Sequence, residues 1–109
     1  MIKRILATAL LLTTNLAHAE QSVWSNAIDV EQIFAGYKQG YIFFKGSERL
    51  DPANCSLQNY AIDSSYADTA YSLSLLLAAK TNNLKVKVAV SKDECGALGG
   101  PKVLRIALQ

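Results

Sequence analysis

Large apolar residues occupy every second position from Leu84 to Val90, and lysines stand between the first three of them. Successive side chains of a strand point to opposite faces, so this alternation is typical of a strand buried on one face. Residues 103–108 near the end of the chain show the same alternation. The side chains predicted to face the core are Leu84, Val86, Val88, Val90, Leu104, Ile106 and Leu108.

A hairpin is predicted from Ala27 to Lys45. Its first half is ambiguous, because the apolar residues fit a helical spacing, while Ile28 and Val30 alternate with acidic residues as in a strand. The turn residues Lys38-Gln39-Gly40 lead directly into the aromatic-rich segment Tyr41–Lys45, which favours two strands. A loop from Gly46 to Ser56 follows this predicted hairpin.

A short strand from Gln58 to Ile62 is predicted next, with Tyr60 and Ile62 on one face. A helix is then predicted from Tyr66 to Lys80, with Ser65 as its N-cap and Asn82-Asn83 as stop residues. The apolar stripe predicted to cover the sheet consists of Ala70, Leu73, Leu76 and Leu77.

The predicted order is three strands, one helix and two strands, with a loop from Ser91 to Pro101 between the last two. The links are short and none forms the long crossover that a parallel sheet requires. The sequence therefore predicts an α+β domain with one packed helix. Its five strands form either a small antiparallel sheet or a partly open, OB-like barrel.

The first nineteen residues have the features of a signal peptide. Lys3 and Arg4 form a basic start, Ile5–Leu12 is apolar, and Ala17-His18-Ala19 fits a cleavage site. We expect residues 1–19 to be removed and residues 20–109 to form one domain, periplasmic or secreted. The apolar segment is shorter than a transmembrane helix, so no membrane insertion is expected after removal of the leader.

Charge argues against two classes of partner. The leader holds two of the eleven basic residues, which leaves nine basic residues against nine acidic ones. A neutral chain lacks the counterion release that drives nucleic-acid binding and has no polybasic segment for anionic lipid. Neither nucleic acid nor a lipid surface is an expected partner.

Cys55 and Cys95 are the two cysteines of the chain. Export to an oxidising compartment predicts a disulfide between them, which for a loop of this length stabilises a domain by about 4 kcal/mol. A redox-active pair is the alternative, but the cysteines lack C-x-x-C spacing and the only histidine, His18, belongs to the leader.

We predict that the protein is not an enzyme and holds no metal or cofactor. Its mature part has no histidine, no G-x-S-x-G nucleophile motif and no calcium-loop motif. The catalytic alternative is a carboxylate pair, either Glu48 with Asp51 or Asp93 with Glu94. Close acidic residues on a loop are usually solvated surface, which favours the non-catalytic interpretation.

The aromatic residues are the best indication of a binding surface. If Ile42 and Phe44 face the core, Tyr41 and Phe43 share the outer face of their strand. Such rings stack on sugars or dock protein chains; the alternative is a second small cluster covered by the N-terminal arm. The predicted ligand-binding residues are Tyr41, Phe43, Tyr60 and Trp24.

Residues 26–108 resemble a group of small, uncharacterised secreted bacterial proteins with one disulfide. The matching features are Gly40-Tyr41-Ile42-Phe43-Phe44-Lys45-Gly46, Asn54-Cys55, Tyr60-Ala61-Ile62-Asp63, Leu75–Lys80, Lys85–Val90 and Cys95. The layout of strands, helix and disulfide also resembles the OB-fold B subunits of pentameric bacterial toxins, which bind glycans as a ring. This second resemblance implies architecture only, and no sugar-contacting residue is carried over.

These observations predict an exported, non-enzymatic binding module for a glycan or protein ligand, acting alone or as a subunit of a homo-oligomer. The alternative is a periplasmic inhibitor or immunity protein that blocks a partner enzyme with two loops, Glu48–Asn54 and Asp93–Gly100. A disulfide between these loops lowers the entropic cost of binding.

Overall fold

Six strands and one α-helix make up residues 20–109, the part of the chain that this computed structural model describes. The predicted signal peptide, residues 1–19, lies outside the described residues. The strands are β1 (Ser22–Trp24), β2 (Ile28–Phe34), β3 (Tyr41–Gly46), β4 (Tyr60–Asp63), β5 (Lys85–Cys95) and β6 (Pro101–Leu108). The helix α1 (Thr69–Asn82) lies between β4 and β5, and a short 3-10 helix (Ala97–Gly99) lies between β5 and β6.

Five of the strands form a ring. β2, β3, β4, β6 and β5 pair in that order, and β5 pairs back with β2. These pairings are antiparallel except that between β4 and β6, which is parallel and consists of the single register pair Ala61 and Lys102. In chain order, the helix lies between the third and fourth strands of this ring, β4 and β5. A partly open five-stranded barrel with a helix at this place is OB-like, and the predicted α+β class is confirmed.

The sixth strand, β1, is absent from the sequence prediction. It has three residues and pairs with β5 from Ala89 to Ser91, on the same edge that β2 occupies at Lys85 and Val86. β5 itself continues to Cys95, so the prediction of a loop beginning at Ser91 is wrong. The extension forms because β1, which is far away in the sequence, pairs with Ser91, and the start of β6 pairs with Cys95.

The core lies inside the ring and confirms the predicted faces of β3 and β4. Ile42, Phe44, Tyr60 and Ile62 are all buried there, and the rings of Phe44 and Tyr60 stack with their centres 4.9 Å apart. Leu84 is an exception to the predicted inner set. It is exposed because it lies before β5 begins, next to the left-handed residue Asn83 that ends the helix.

β6 departs from the predicted alternation because of a bulge. Val103 pairs with Val90 and Arg105 pairs with Ala89, which leaves Leu104 as the extra residue. Val103 is therefore buried in the core, Leu104 is only partly buried, and Leu108 is exposed, whereas the prediction placed Leu104 and Leu108 inside. Only Ile106 packs against the core as predicted.

The helix begins later than predicted. Asp68, not Ser65, is its N-cap, and the Asp68 carboxylate accepts a hydrogen bond from the backbone N–H of Tyr71 at 3.0 Å. The preceding residues form a turn instead, in which Tyr66 and Ala67 donate backbone hydrogen bonds to the Asp63 carbonyl. Asn83 ends the helix with φ 58°, which confirms the predicted stop.

The buried face of α1 also differs from the predicted stripe. Leu76 is buried and Leu73 packs against the core, as predicted, whereas Ala70 and Leu77 are exposed and Ser72 and Ala79 are buried instead. Apolar residues lie on most sides of this helix, so their spacing alone does not identify the packed side. The small side chains of Ser72 and Ala79 select it, because they let the helix approach the barrel closely.

Two neighbouring leucines test this packing. Leu76 is fully buried and Leu77 is 49% exposed. We expect Leu76→Ala to lower the free energy of unfolding by about 2–5 kcal/mol, because it leaves a cavity. Leu77→Ala is the matched control and should change it by less than about 0.5 kcal/mol in urea unfolding. Equal losses in the two variants would show that the helix packs through the predicted stripe.

Candidate functional site

Tyr41 and Phe43 share the outer face of β3, as the sequence predicts. Phe43 lies outside the core cluster, yet only 2% of its surface is exposed, because loops cover it from outside the barrel. The rings of Tyr37 and Tyr41 are each perpendicular to it, with 5.5 Å and 6.1 Å between ring centres. Phe43 is thus the floor of an aromatic surface.

A hollow of about 100 Å³ lies above Phe43. Three loops supply its walls: residues 35–40 between β2 and β3, 47–59 between β3 and β4, and 96–100 between β5 and β6. We call it the aromatic hollow; its lining is Phe34, Tyr37, Phe43, Leu57, Asn59 and Leu98. The Asn59 amide and the Tyr37 hydroxyl are the polar side-chain groups of an otherwise apolar lining.

The rim of the aromatic hollow carries two exposed, largely apolar side chains. Tyr37 is 64% exposed and Leu98 is 63% exposed. Leu98 also has φ 54°, a left-handed conformation that is uncommon for a residue other than glycine. Strained backbone that presents an exposed apolar side chain beside a hollow is typical of a binding site.

The disulfide between Cys55 and Cys95 confirms the predicted pairing, with 5.7 Å between the two Cα atoms. It joins two walls of the aromatic hollow, because Leu57 follows Cys55 by two residues and Leu98 follows Cys95 by three. A backbone hydrogen bond of 3.1 Å from the N–H of Leu57 to the carbonyl of Gly99 joins the same walls.

Arg49 organises the loop that carries Cys55. Its guanidinium donates to the carbonyls of Cys55 and Leu57 at 3.0 Å and of Gln58 at 3.3 Å, and it forms an ion pair with Asp51 at 2.9 Å. The Asp51 carboxylate accepts a hydrogen bond from the Cys55 N–H. The loop is therefore held by charged groups as well as by the disulfide.

The Tyr66 hydroxyl accepts a hydrogen bond from the N–H of Ala97, next to Leu98, at 3.4 Å, and the Lys102 ammonium lies 4.8 Å from the centre of the Tyr66 ring. Burial by itself lowers the pKa of Lys102, but hydrogen bonds to Glu94 and Glu20, both at 3.0 Å, outweigh it and raise that pKa overall. For Glu20, burial raises the pKa, but Lys102 and Ser91 outweigh it and lower the pKa overall. Burial raises the pKa of Tyr66 to about 12.

The other two predicted site residues lie elsewhere. Tyr60 is fully buried in the core, where its hydroxyl donates to the Glu48 carbonyl and accepts from the Leu50 N–H, and burial raises its pKa. Trp24 stands opposite Ala89 on β5, with the Arg105 guanidinium 5.9 Å from its ring centre. Trp24 and Tyr60 line a separate groove, not the aromatic hollow.

Sequence reasoning missed Leu57, Asn59 and Leu98 as site residues. They come from loops, and no local pattern indicates that the chain brings them together. Of the carboxylates considered for catalysis, Asp51 is paired with Arg49 and Glu94 with Lys102. In residues 20–109, no three side chains of the metal-ligating types come together.

Comparison with protein-family models, curated proteins and solved structures gives no match. No helix within residues 20–109 has the length and hydropathy needed to cross a membrane.

Alkaline pH tests the environment of Tyr66 and Lys102. Both pKa values are raised in the folded state, so the folded protein binds more protons than the unfolded chain above about pH 10. We expect the free energy of unfolding to fall between about pH 10 and pH 12, measured by urea unfolding. Tyr66→Phe should reduce this fall and Tyr71→Phe, at an exposed site, should not; identical profiles would contradict the assignment.

Removal of the disulfide tests its share of the stability. We expect the double variant Cys55→Ala/Cys95→Ala to lose about 4 kcal/mol of unfolding free energy, because the unfolded chain regains the freedom of a forty-residue loop. Urea unfolding measures the loss, and reduction of the unaltered protein should reproduce it. A loss below about 1 kcal/mol would show that Arg49 and the backbone hydrogen bonds hold the loops without the crosslink.

Proposed function

We propose that the protein is an exported, non-enzymatic binding module whose ligand, a protein or a glycan, inserts an apolar group into the aromatic hollow. The observation that carries the proposal is the juxtaposition of Tyr37 and Leu98, two strongly exposed apolar side chains, around a hollow that a disulfide holds in shape. Preformed sites of this kind bind with a low entropic cost. The disulfide and the predicted leader both support export.

The position of the hollow supports the same proposal. It lies on the outer face of β3, between the loop that joins β2 to β3 and the loop that joins β5 to β6. This is the face on which OB-type barrels bind oligonucleotides and oligosaccharides. The near-neutral charge of residues 20–109 argues against a nucleic-acid ligand, which leaves a protein or a glycan.

The size and lining of the hollow describe the group that enters it. About 100 Å³ is well below the roughly 300–1,000 Å³ of a site for a whole small molecule, so one side chain or substituent fills it. The apolar lining favours an aliphatic or aromatic group, and Asn59 supplies a polar contact at the rim. A second copy of the chain is included among the protein ligands.

An inhibitor or immunity protein is the second candidate. Arg49 ties its own loop to three carbonyls, and the disulfide joins that loop to the end of β5. Both predicted inhibitory loops, Glu48–Asn54 and Asp93–Gly100, are therefore held in place, as blocking loops need to be. Inhibition of a bacterial toxin or lytic enzyme that copurifies with the tagged protein would favour this candidate.

Binding of small apolar probes tests the hollow. We expect phenol and isobutanol to shift the backbone amide NMR signals of residues around Tyr37, Leu57 and Leu98 in a saturable way. Tyr37→Ala and Leu98→Ala should each weaken this binding about five-fold or more, because they remove the rim. Tyr71→Ala and Leu77→Ala are the matched controls, since both positions are exposed on α1.

The nature of the ligand follows from two further measurements on the same variants. A glycan array and light scattering, each run on the unaltered protein and on Tyr37→Ala, distinguish a glycan ligand from assembly with a second copy, and the signal that belongs to the aromatic hollow is the one that Tyr37→Ala removes. Probes that fail to shift the signals of the hollow, or that shift them equally in Tyr37→Ala, would overturn the proposal.

A further inference from the structure

A second concavity, of about 280 Å³, lies where the residues after β1 meet the start of the loop that follows β3. It shares no lining residue with the aromatic hollow. Its inner wall is formed by the core residues Ile28 and Tyr60, and its outer wall by Trp24, which is 47% exposed. We call it the Trp24 groove; its lining is Trp24, Ser25, Asn26, Ile28, Glu48, Arg49, Leu50 and Tyr60.

Most polar groups of the Trp24 groove already have partners. The Tyr60 hydroxyl is bonded to the backbone of Glu48 and Leu50, and the Ser25 hydroxyl to that of Asn26 and Val88. The Arg49 guanidinium forms an ion pair with Asp51 and donates hydrogen bonds to three backbone carbonyls. Within residues 20–109, the Glu48 carboxylate has no ion pair, so Glu48 and the Asn26 amide are the groups offered to a ligand.

The charges around the Trp24 groove balance. Asp51 neutralises Arg49, while Glu48 within the groove is offset by Arg105 against the Trp24 ring. An anionic ligand meets the Glu48 carboxylate, and a cationic ligand meets the Arg105 guanidinium, which already lies against the Trp24 ring. A neutral ligand that donates hydrogen bonds avoids both penalties.

From this geometry we propose that the Trp24 groove binds one ring of a neutral saccharide, independently of the aromatic hollow. A pyranose has a face of C–H groups that packs on an aromatic ring, and hydroxyls at its edge that donate to a carboxylate and an amide. Trp24 supplies the ring, and Glu48 and Asn26 supply the acceptors. The volume lies just below the range of about 300 Å³ and more that larger ligands fill, which suits a single ring.

Trp24 is the only tryptophan of the chain, so its fluorescence reports on the groove directly. The probes are the neutral monosaccharides glucose, galactose, mannose and N-acetylglucosamine, titrated one at a time against the folded protein with its disulfide. We expect at least one of them to shift the Trp24 emission and to protect it from acrylamide quenching, in a saturable way, with a dissociation constant in the millimolar range.

The informative variant is Glu48→Gln, since the carboxylate is exposed and the fold does not use it. We expect it to weaken saccharide binding about ten-fold. Asp93→Asn is the control for the charge change, and Tyr71→Ala is the control for loss of an exposed aromatic ring; neither should alter binding. Urea unfolding of each variant establishes that it is folded.

Three results would overturn the proposal: no saturable response to any of the four sugars, equal affinity in Glu48→Gln, or tighter binding of glucuronate or choline than of the neutral sugars. Failure here leaves the phenol and isobutanol result at the aromatic hollow unaffected, because the two sites share no residue. The two proposals therefore stand or fall separately.

Discussion

The covalent bond between Cys55 and Cys95 is the constraint on which the rest of the structure depends. Within the ring, β4 and β6 share the fewest paired residues, a single register pair. Cys55 lies in the segment that leads into β4, and Cys95 lies at the end of β5, just before the turn into β6. The disulfide therefore crosslinks the ring at the place where the fewest residues of neighbouring strands are paired.

The same place requires a close approach of backbone to backbone. A Cβ atom on Gly100 would lie 2.6 Å from the carbonyl oxygen of Asn59 and 3.1 Å from the Cβ of Ala61. Only glycine lets the start of β6 lie so near the start of β4. Asn59 also lines the aromatic hollow, so the contact that closes the barrel also positions a residue of the site.

Local signals predicted most of the fold. Strict alternation identified β5, the aromatic segment after Gly40 identified β3, and the asparagines after Lys80 identified the end of the helix. The errors came from contacts between elements, which no local pattern shows. β1 forms because β5 offers it an edge to pair with. The bulge at Leu104 belongs to the register between β6 and β5. The packed face of α1 depends on the small side chains of Ser72 and Ala79.

The candidate site was predicted in part for the same reason. Alternation along β3 placed Tyr41 and Phe43 together on the outer face, as the structure has them. It could not show that Leu57 and Leu98 meet above Phe43, because three loops have to converge first. Nor could it separate Trp24 and Tyr60 from that face, because their positions depend on β1 and on the core.

Ser25 has a consequence for how the molecule behaves among its own copies. Its backbone N–H donates to the Val88 carbonyl at 2.8 Å, and its hydroxyl accepts from the Val88 N–H at 3.0 Å, so one serine fills the gap between β1 and β2 along β5. The backbone carbonyl of Gln21 accepts a hydrogen bond from the backbone N–H of Lys92. From Lys85 to Lys92, the longest strand is thus sealed against addition of a foreign strand, which is how β proteins avoid growing into fibrils.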